Sequence, residues 1–194
     1  MKTAMRVSGG QDRAQLFPRA GGLVAVVADG AGATAAGGAA ADLVIEAVKK
    51  SGAGADWAAV LQEVDARLVR EGTGAQTTAV IVAIAGGRIT GASVGDSGAW
   101  VIDGDDVLDL TAGQQRKPLL GRGNARPLAF TAATASGRAL LASDGLLKYA
   151  APRFVAEAAS GPSLDACADQ LLALPRLRSG QLPDDVAVIL IALD

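Results

Sequence analysis

Short apolar runs rich in valine are the feature that most limits how this 194-residue chain can fold. The run LVAVVA at 23–28 is continuous, too short for a typical helix, and ends at Asp29-Gly30. These properties are typical of a buried strand. Similar runs or alternating patterns predict further strands at 77–85, 88–95, 99–103, 107–110, 138–143 and 185–193.

Glycine turns group these strands into hairpins, and helical segments lie between the groups. Gly86-Gly87 predicts one hairpin turn, and another glycine turn separates AWVID from VLDL. The spacing of apolar residues predicts helices at 36–50, 56–71 (with Asp56 as N-cap), 152–159 and 163–174, and the Pro- and Gly-containing segment 111–138 is expected to be mostly loop. This order favours a layered α+β fold over alternating βαβ units, and without a linker or repeat we expect a single domain, 1–194.

Composition excludes several kinds of chemistry. The chain has no histidine, which rules out histidine-dependent triads and zinc sites. The single Cys167 lies in an apolar helical pattern typical of a core position. A net charge of −2 gives no general reason to bind nucleic acid or an anionic membrane, and no apolar stretch is long enough to span a bilayer. We expect a cytoplasmic protein.

The segment that follows the first apolar run, VVADGAG, has two interpretations. Gly30, Gly32 and Ala35 fit the G-x-G-x-x-A turn that holds the pyrophosphate of a dinucleotide. That fold requires a parallel strand after the next helix, whereas here a second helix is predicted. The alternative is that Asp29, at the end of a buried strand, is a metal ligand.

Four aspartates occupy equivalent places at the ends of predicted strands, namely Asp29, Asp96, Asp144 and Asp184. Each of them, taken alone, is also an ordinary turn residue. If the strands bring them together, their mutual repulsion would favour a bound cation. Because oxygen donors are the ones present, Mg²⁺ or Mn²⁺ is the expected metal.

Six segments in order resemble the motifs of the metal-dependent serine/threonine protein phosphatases of type 2C. They are GGQDR near the start, VVADGAG, GAQTTAV, ASVGDSGAW, LLASDGLLKY and PDDVAVILI. The resemblance runs through nearly the whole chain and favours the metal interpretation of Asp29.

The resemblance implies a four-layer α-β-β-α sandwich of two antiparallel sheets with two Mg²⁺ or Mn²⁺ ions at one end. In this family pattern Asp29 would bridge the two ions and the Gly30 carbonyl would complete one coordination shell. Asp144 and Asp184 would bind the second ion, and Asp96 with Asp144 would form a third, weaker metal site. Asp12 would orient metal-bound water, and Arg6 would bind the phosphoryl group. We expect glycine at 30 and 145 to let the backbone approach a cation.

The chain departs from the family pattern at several positions. Arg6 lies six residues before Asp12 instead of five, so Arg13 is an alternative phosphate ligand. Gln11 replaces an acidic residue, Gly98 replaces an arginine, and Asp185 replaces an asparagine, which leaves Asp184 and Asp185 as alternative ligands. The short segment 97–143 implies the reduced flap of a small bacterial-type member. Its basic part, QQRKPLLGRGNARPL, is either a docking segment for an acidic partner or a solvated loop.

The leading functional prediction is metal-dependent hydrolysis of phosphoserine or phosphothreonine in a signalling protein, such as a kinase or a kinase substrate. An attacking water activated by two metal ions needs no histidine or cysteine nucleophile. The alternative is a catalytically weak or inactive module that binds a signalling partner. A nucleotide-dependent oxidoreductase is a third hypothesis, which depends on the glycine pattern alone.

Overall fold

The protein is a sandwich of strands and helices, seen in a computed structural model that describes residues 1–32, 36–133 and 136–193. Its strands are β1 (Thr3–Ser8), β2 (Arg13–Arg19), β3 (Gly22–Ala28), β4 (Gly30–Ala31), β5 (Gln76–Thr77), β6 (Ala79–Ala85), β7 (Arg88–Val94), β8 (Gly98–Asp103), β9 (Asp106–Asp109), β10 (Leu128–Ala133), β11 (Arg138–Ala142) and β12 (Val186–Ala192). Its helices are α1 (Ala36–Lys50), α2 (Trp57–Glu71), α3 (Asp144–Leu147), α4 (Pro152–Ala159) and α5 (Leu164–Ala173).

Two five-stranded sheets form the centre of the sandwich. One has the order β1-β12-β11-β8-β9, the other has the order β10-β7-β6-β3-β2, and each neighbouring pair is antiparallel. Helices α1 and α2 pack on the outer face of the second sheet, and α3, α4 and α5 pack on the outer face of the first. The expected four-layer α-β-β-α arrangement is confirmed.

Both faces of the central strands are buried, which explains why their sequences are continuously apolar. In β3, Leu23, Ala25 and Val27 point into the layer between the sheets, where they join Ile189 of β12. The alternate residues of β3 pack against α1 and α2. None of the described helices is long and apolar enough to cross a membrane.

The predicted helices and hairpins are present, with helix α1 at 36–50 and Asp56 capping helix α2 through a hydrogen bond from the Ala59 amide. Strands β1, β2, β4 and β10 and the short helix α3 are not among the predicted elements. β2 contains Pro18, which is tolerated because β2 is an edge strand, and most of β10 is exposed.

A dinucleotide-binding fold is not present. Every pairing among the described strands is antiparallel, so β3 lacks the parallel neighbour that such a fold requires. Ala35, the last residue of the proposed glycine pattern, lies outside the described residues. The oxidoreductase hypothesis therefore loses its structural basis.

The segment between β9 and β10 is held by one buried carboxylate on α2. Asp65 accepts backbone hydrogen bonds from Gly121 at 2.7 Å, Gly123 at 3.0 Å and Ala125 at 3.1 Å. The backbone of Leu120 exchanges hydrogen bonds with that of Thr77, at 3.1 and 3.2 Å. The part of the segment around 120–125 is therefore anchored to the body of the protein through its backbone, while residues 122–124 stay exposed.

Replacing Asp65 by alanine should destabilise the protein by roughly 2–4 kcal/mol, because three backbone donors lose their acceptor in a partly buried place. The measurement is urea unfolding followed by circular dichroism. Glu63→Ala, an exposed site on the same helix, should change the free energy of unfolding by less than about 0.5 kcal/mol. Equal effects of the two substitutions would show that the Asp65 hydrogen bonds do not stabilise the fold.

Candidate metal centre

The four aspartates at strand ends come together at one edge of the sandwich. β3 and β7 run in the same direction because both are antiparallel to β6, so Asp29 and Asp96 follow strands that end at the same edge. In the facing sheet, the end of β11 lies beside the start of β12, which brings Asp144 close to Asp184. Residues far apart in the chain thus form one acidic site.

The backbone of Asp29 is fixed by the two threonines of GAQTTAV. The Thr78 hydroxyl accepts a hydrogen bond from the Asp29 amide at 3.0 Å, and the Thr77 hydroxyl donates to the Asp29 carbonyl at 2.9 Å. The Thr78 hydroxyl also lies 2.6 Å from that of Ser97 in the ASVGDSGAW segment. Three of the motifs are therefore joined by one buried network around Asp29.

Glycine is required at 30 and 145 by close packing within the protein. A Cβ on Gly30 would overlap the backbone of Gly37 in α1, and one on Gly145 would overlap the carbonyl oxygen of Asp185. This steric reason is independent of the expected approach of the backbone to a cation, which stays a prediction. The two glycines allow α1 to approach β4, and α3 to approach the start of β12.

The carboxylates raise one another's pKa. Burial raises the pKa of Asp29 to about 8, and the charges of Asp12, Asp144 and Asp184 add to the effect. Burial also raises the pKa of Asp12 to about 6, with the charges of Asp185 and Asp144 contributing. The pKa of Asp144 is raised by burial and by the charges of Asp96 and Asp184. A cation would relieve this repulsion.

Asp184 and Asp185, the two candidate ligands before β12, have different surroundings. One carboxylate oxygen of Asp185 accepts hydrogen bonds from the amides of Gly10 and Gln11, each at 2.8 Å. The Asp184 carboxylate accepts the Asp185 amide at 3.0 Å, and its charge raises the pKa of both Asp29 and Asp144. Asp185 thus holds the 9–11 turn, whereas Asp184 faces the other carboxylates.

The structure does not bring Arg6 to the acidic site. Its guanidinium forms ion pairs with Asp169 at 2.6 Å and Asp165 at 3.1 Å, both on α5. In the sheet, Arg6 lies opposite Val188 of β12, whose side chain packs under the helices. The side chain of the neighbouring Met5 points into the layer between the sheets. One residue of displacement in a strand turns a side chain to the opposite face, so the extra residue before Asp12 moves the arginine away.

Arg13, the alternative to Arg6, lies beside the site but is engaged by the protein. Its guanidinium forms an ion pair with Asp42 of α1 at 2.6 Å and donates hydrogen bonds to the carbonyls of Gly10 and Asp12. These contacts make Arg13 a support for the chain around Asp12.

Two other cations, which the sequence motifs do not assign to the site, lie with the carboxylates. Arg116 forms an ion pair with Asp96 at 3.0 Å, and the positive charges of Arg116 and Lys148 oppose the rise in the pKa of Asp144. Both line a cavity of about 460 Å³ that also contains Asp96 and Asp144. Arg116 belongs to the basic segment QQRKPLLGRGNARPL. Lys148 follows the S-D-G-L motif but is not part of it.

The residues fit a magnesium or manganese centre. Neither carboxylate oxygen of the buried Asp12 has a hydrogen-bond partner of good geometry among the described residues, and Asp12 is 2% exposed. In the described part of the chain no three acidic side chains converge on a single point. Mg²⁺ keeps several waters and takes only one or two carboxylates, so two ions sharing these aspartates do not need such a convergence.

Solved structures of bacterial phosphatases share this fold. A bacterial serine phosphatase matches with a TM-score of 0.85 at 20% identity, covering 100% of this chain and 98% of that chain. The catalytic domain of Mycobacterium tuberculosis PstP in complex with two manganese ions matches with a TM-score of 0.82 at 24% identity, again over 100% and 98%. Stp1 from Staphylococcus aureus, a serine/threonine phosphatase, matches with a TM-score of 0.86 at 19% identity over 100% and 95%. No family model and no curated protein sequence matches the chain.

Without metal, the protein should lose stability as the pH rises, and Asp29→Asn should reduce that loss. With a pKa of about 8, Asp29 keeps a proton in the folded protein at pH values where the unfolded chain, with a pKa of about 3.9, has released it. Stability therefore falls between about pH 4 and about pH 8. We expect Asp29→Asn to gain roughly 1–3 kcal/mol over the native protein at about pH 8 and little at about pH 4.

The measurement is urea unfolding in EDTA at several pH values. Asp105→Asn, in an exposed turn, makes the same chemical change outside the acidic site and should follow the native curve. Parallel pH curves for the native protein and Asp29→Asn would contradict the assignment of a raised pKa to Asp29.

Proposed function

We propose that this chain, which has the fold of the bacterial serine/threonine phosphatases, is a metal-dependent phosphoprotein phosphatase of the type 2C family. The observation that carries the proposal is the acidic site, in which aspartates from separate motifs meet and raise one another's pKa. Its fold is shared with a phosphatase whose structure holds two manganese ions. The proposed unit is one domain over 1–194.

In this proposal each aspartate has a distinct place around two Mg²⁺ or Mn²⁺ ions. Asp29 would be shared by the two ions, the Gly30 carbonyl would bind one of them, and Asp144 and Asp184 would bind the other. Asp96 and Asp144 are the candidates for a third, weaker ion. When bound, the ions lower the pKa of a water molecule and neutralise charge on the phosphoryl oxygens.

The rest of the chemistry is assigned to the protein's own residues. Thr77 and Thr78 hold the Asp29 backbone in place, so Asp29 is already positioned before substrate binds. Asp12, whose buried carboxylate oxygens have no hydrogen-bond partner among the described residues, is the proposed acceptor that orients a water molecule. Arg116 and Lys148 attract the dianionic phosphoryl group, the role that the sequence suggested for Arg6.

The proposed substrate is a protein carrying phosphoserine or phosphothreonine, such as a kinase or a kinase target, and the proposed location is the cytoplasm. The cavity beside Asp96 and Asp144 is open to solvent on the side of Arg116, whose side chain is 68% exposed. A phosphorylated side chain of a protein segment can therefore reach the acidic site. With a net charge of −2, nucleic acid and membranes are not expected partners.

A second candidate function is favoured by one observation. At the position five residues before Asp12, where the family pattern has its arginine, this chain has Val7, and the arginine beside it is bound to α5. A phosphatase-like module that binds a signalling partner without turnover would not need an arginine there. Retention of all the aspartates favours catalysis.

The deciding experiment is hydrolysis of a phosphothreonine peptide by the purified protein with Mn²⁺, with Mg²⁺ and with EDTA. We expect turnover that requires the metal and falls at least ~100-fold in Asp144→Asn, since a ligand to the ion that activates water is lost. Metal binding is followed in parallel by calorimetry. Binding without turnover would favour the non-catalytic module, and unchanged turnover in Asp144→Asn would overturn the proposal.

Asp184→Asn and Asp185→Asn form a matched pair within the same experiment. Asp184→Asn should lose activity to the same extent as Asp144→Asn. Asp185→Asn keeps an oxygen acceptor for the Gly10 and Gln11 amides, so it should retain at least about a tenth of the native activity. The reverse order would assign the metal to Asp185.

Arg116→Gln and Lys148→Gln test the reassigned phosphate contacts. Each should lower kcat/KM for the phosphopeptide about 5- to 30-fold, because a charge-assisted contact to the phosphoryl group is removed. Arg6→Gln, which lies on the opposite face of its strand, should have a smaller effect than either. A large loss confined to Arg6→Gln would restore the role expected from the sequence.

A further inference from the structure

A second cavity, of about 520 Å³, shares no described lining residue with the Arg116 cavity. Its lining includes Ala31 and Gly32, which follow Asp29-Gly30 in the chain, and the two cations Lys117 and Arg122. No carboxylate is among its described lining residues. We call it the Lys117–Arg122 pocket.

The wall of this pocket that carries the cations is preformed. The three hydrogen bonds to Asp65 fix the backbone on both sides of Arg122. The pairing of Leu120 with Thr77 ties the same wall to the residue that supports the Asp29 carbonyl. The pocket and the acidic site are therefore held in one fixed relation.

Neither cation has a partner among the described residues. In the described part of the chain, neither Lys117 nor Arg122 forms an ion pair or a side-chain hydrogen bond, and both are exposed. Other arginines near the acidic site are engaged, Arg13 with Asp42 and Arg116 with Asp96. Two unpaired cations in a preformed pocket without a carboxylate favour an anionic ligand.

We infer that the Lys117–Arg122 pocket binds a second anionic side chain of the phosphorylated substrate, close in sequence to the residue that is dephosphorylated. The inference rests on the proposed function and adds a substrate class to it. The ligand chemistry is an oxyanion, either the carboxylate of Asp or Glu or a second phosphoryl group.

The chain itself limits the distance between the two anionic groups. Gly32 is three residues from Asp29, so the pocket begins within roughly 10 Å of the acidic site. An extended peptide advances about 3.3 Å per residue. The second anion is therefore expected about two to four residues from the phosphorylated residue. A phosphopeptide with uncharged neighbours would use only the Arg116 side of the site.

The test compares three phosphothreonine peptides that differ only at the positions two to four residues away on each side. One carries glutamates there, one carries a second phosphothreonine, and one carries alanines. For the native protein we expect kcat/KM to be about 5- to 10-fold higher for the anionic peptides than for the alanine peptide. The ratio should shrink as salt is added. The ratio between the two anionic peptides identifies whether carboxylate or phosphate is preferred.

Lys117→Glu and Arg122→Glu should lower this ratio to about 1 or below, since the pocket then repels the second anion. Lys49→Glu makes the same charge change at the far end of α1, about 20 Å from its start, and should keep the native ratio. A native ratio near 1, or equal loss in Lys49→Glu, overturns the inference while leaving the phosphatase proposal intact.

Peptide binding separates this inference from failure of the proposed function. If no peptide is hydrolysed under any metal condition, the affinities of the same fluorescent peptides for the native protein and the variants are measured by anisotropy. A preference for anionic peptides that Lys117→Glu removes supports the pocket in a non-catalytic protein. Equal affinity for all three peptides overturns it.

Discussion

Mutual repulsion among buried carboxylates is the constraint around which the rest of the structure is organised. Asp29 and Asp12 are held so close to other aspartates, and so far from water, that their pKa values rise to about 8 and about 6. A flexible chain would relieve this repulsion by moving apart. The protein prevents that by placing Asp29, Asp96, Asp144 and Asp184 at the ends of strands that are largely buried on both faces. The layer between the sheets thus supplies the stability that the acidic site removes.

Hydrogen bonds close to the aspartates fix the backbone positions within the acidic site. The Asp29 backbone is bound on both its amide and its carbonyl by Thr77 and Thr78. At the facing sheet, the Ser143 hydroxyl accepts the Ala187 amide at 2.9 Å and fixes the strand ends that carry Asp144 and Asp184. Hydroxyls therefore hold the backbone of the site in place, and the carboxylates keep acceptor positions for other ligands.

The sequence predicts a large part of this molecule because the informative residues are local. Continuous apolar runs identify the central strands, Asp56 marks the start of α2, and the motifs place the aspartates in order. Strands β1 and β2 were missed because they have only short or interrupted alternation. β10 is largely exposed in a segment rich in proline and glycine. Their positions are determined by pairing with distant strands, which local patterns do not record.

Arg6 shows why a matching motif does not fix a site residue. A displacement of one position is small in the sequence, yet in β1 it exchanges the face toward the layer between the sheets for the face that meets α5. The cations that do lie near the carboxylates, Arg116 and Lys148, come from segments about a hundred residues or more further along the chain. Lys148 lies one helical turn from Asp144, whereas Arg116 is brought to Asp96 by the tertiary structure. Asp65 was missed for the same reason, since nothing in α2 indicates which backbone amides its carboxylate will meet.

The net charge of −2 conceals a strongly uneven arrangement of charge. Arg116 and Lys148 line one cavity together with Asp96 and Asp144, whereas Lys117 and Arg122 line a second cavity beside the chain that follows Asp29-Gly30. The electrostatic field of a surface charge is screened within about 8–10 Å at ordinary salt. A substrate segment that approaches the site therefore responds to the charges nearby and not to the net charge of the protein. A single phosphoryl group meets Arg116 and Lys148, which already lie beside carboxylates. A substrate segment with a second anionic group can also contact Lys117 and Arg122, which have no partner in the described structure. If the acidic site hydrolyses phosphate esters, the short basic segment is then the part of the protein that distinguishes one phosphorylated sequence from another.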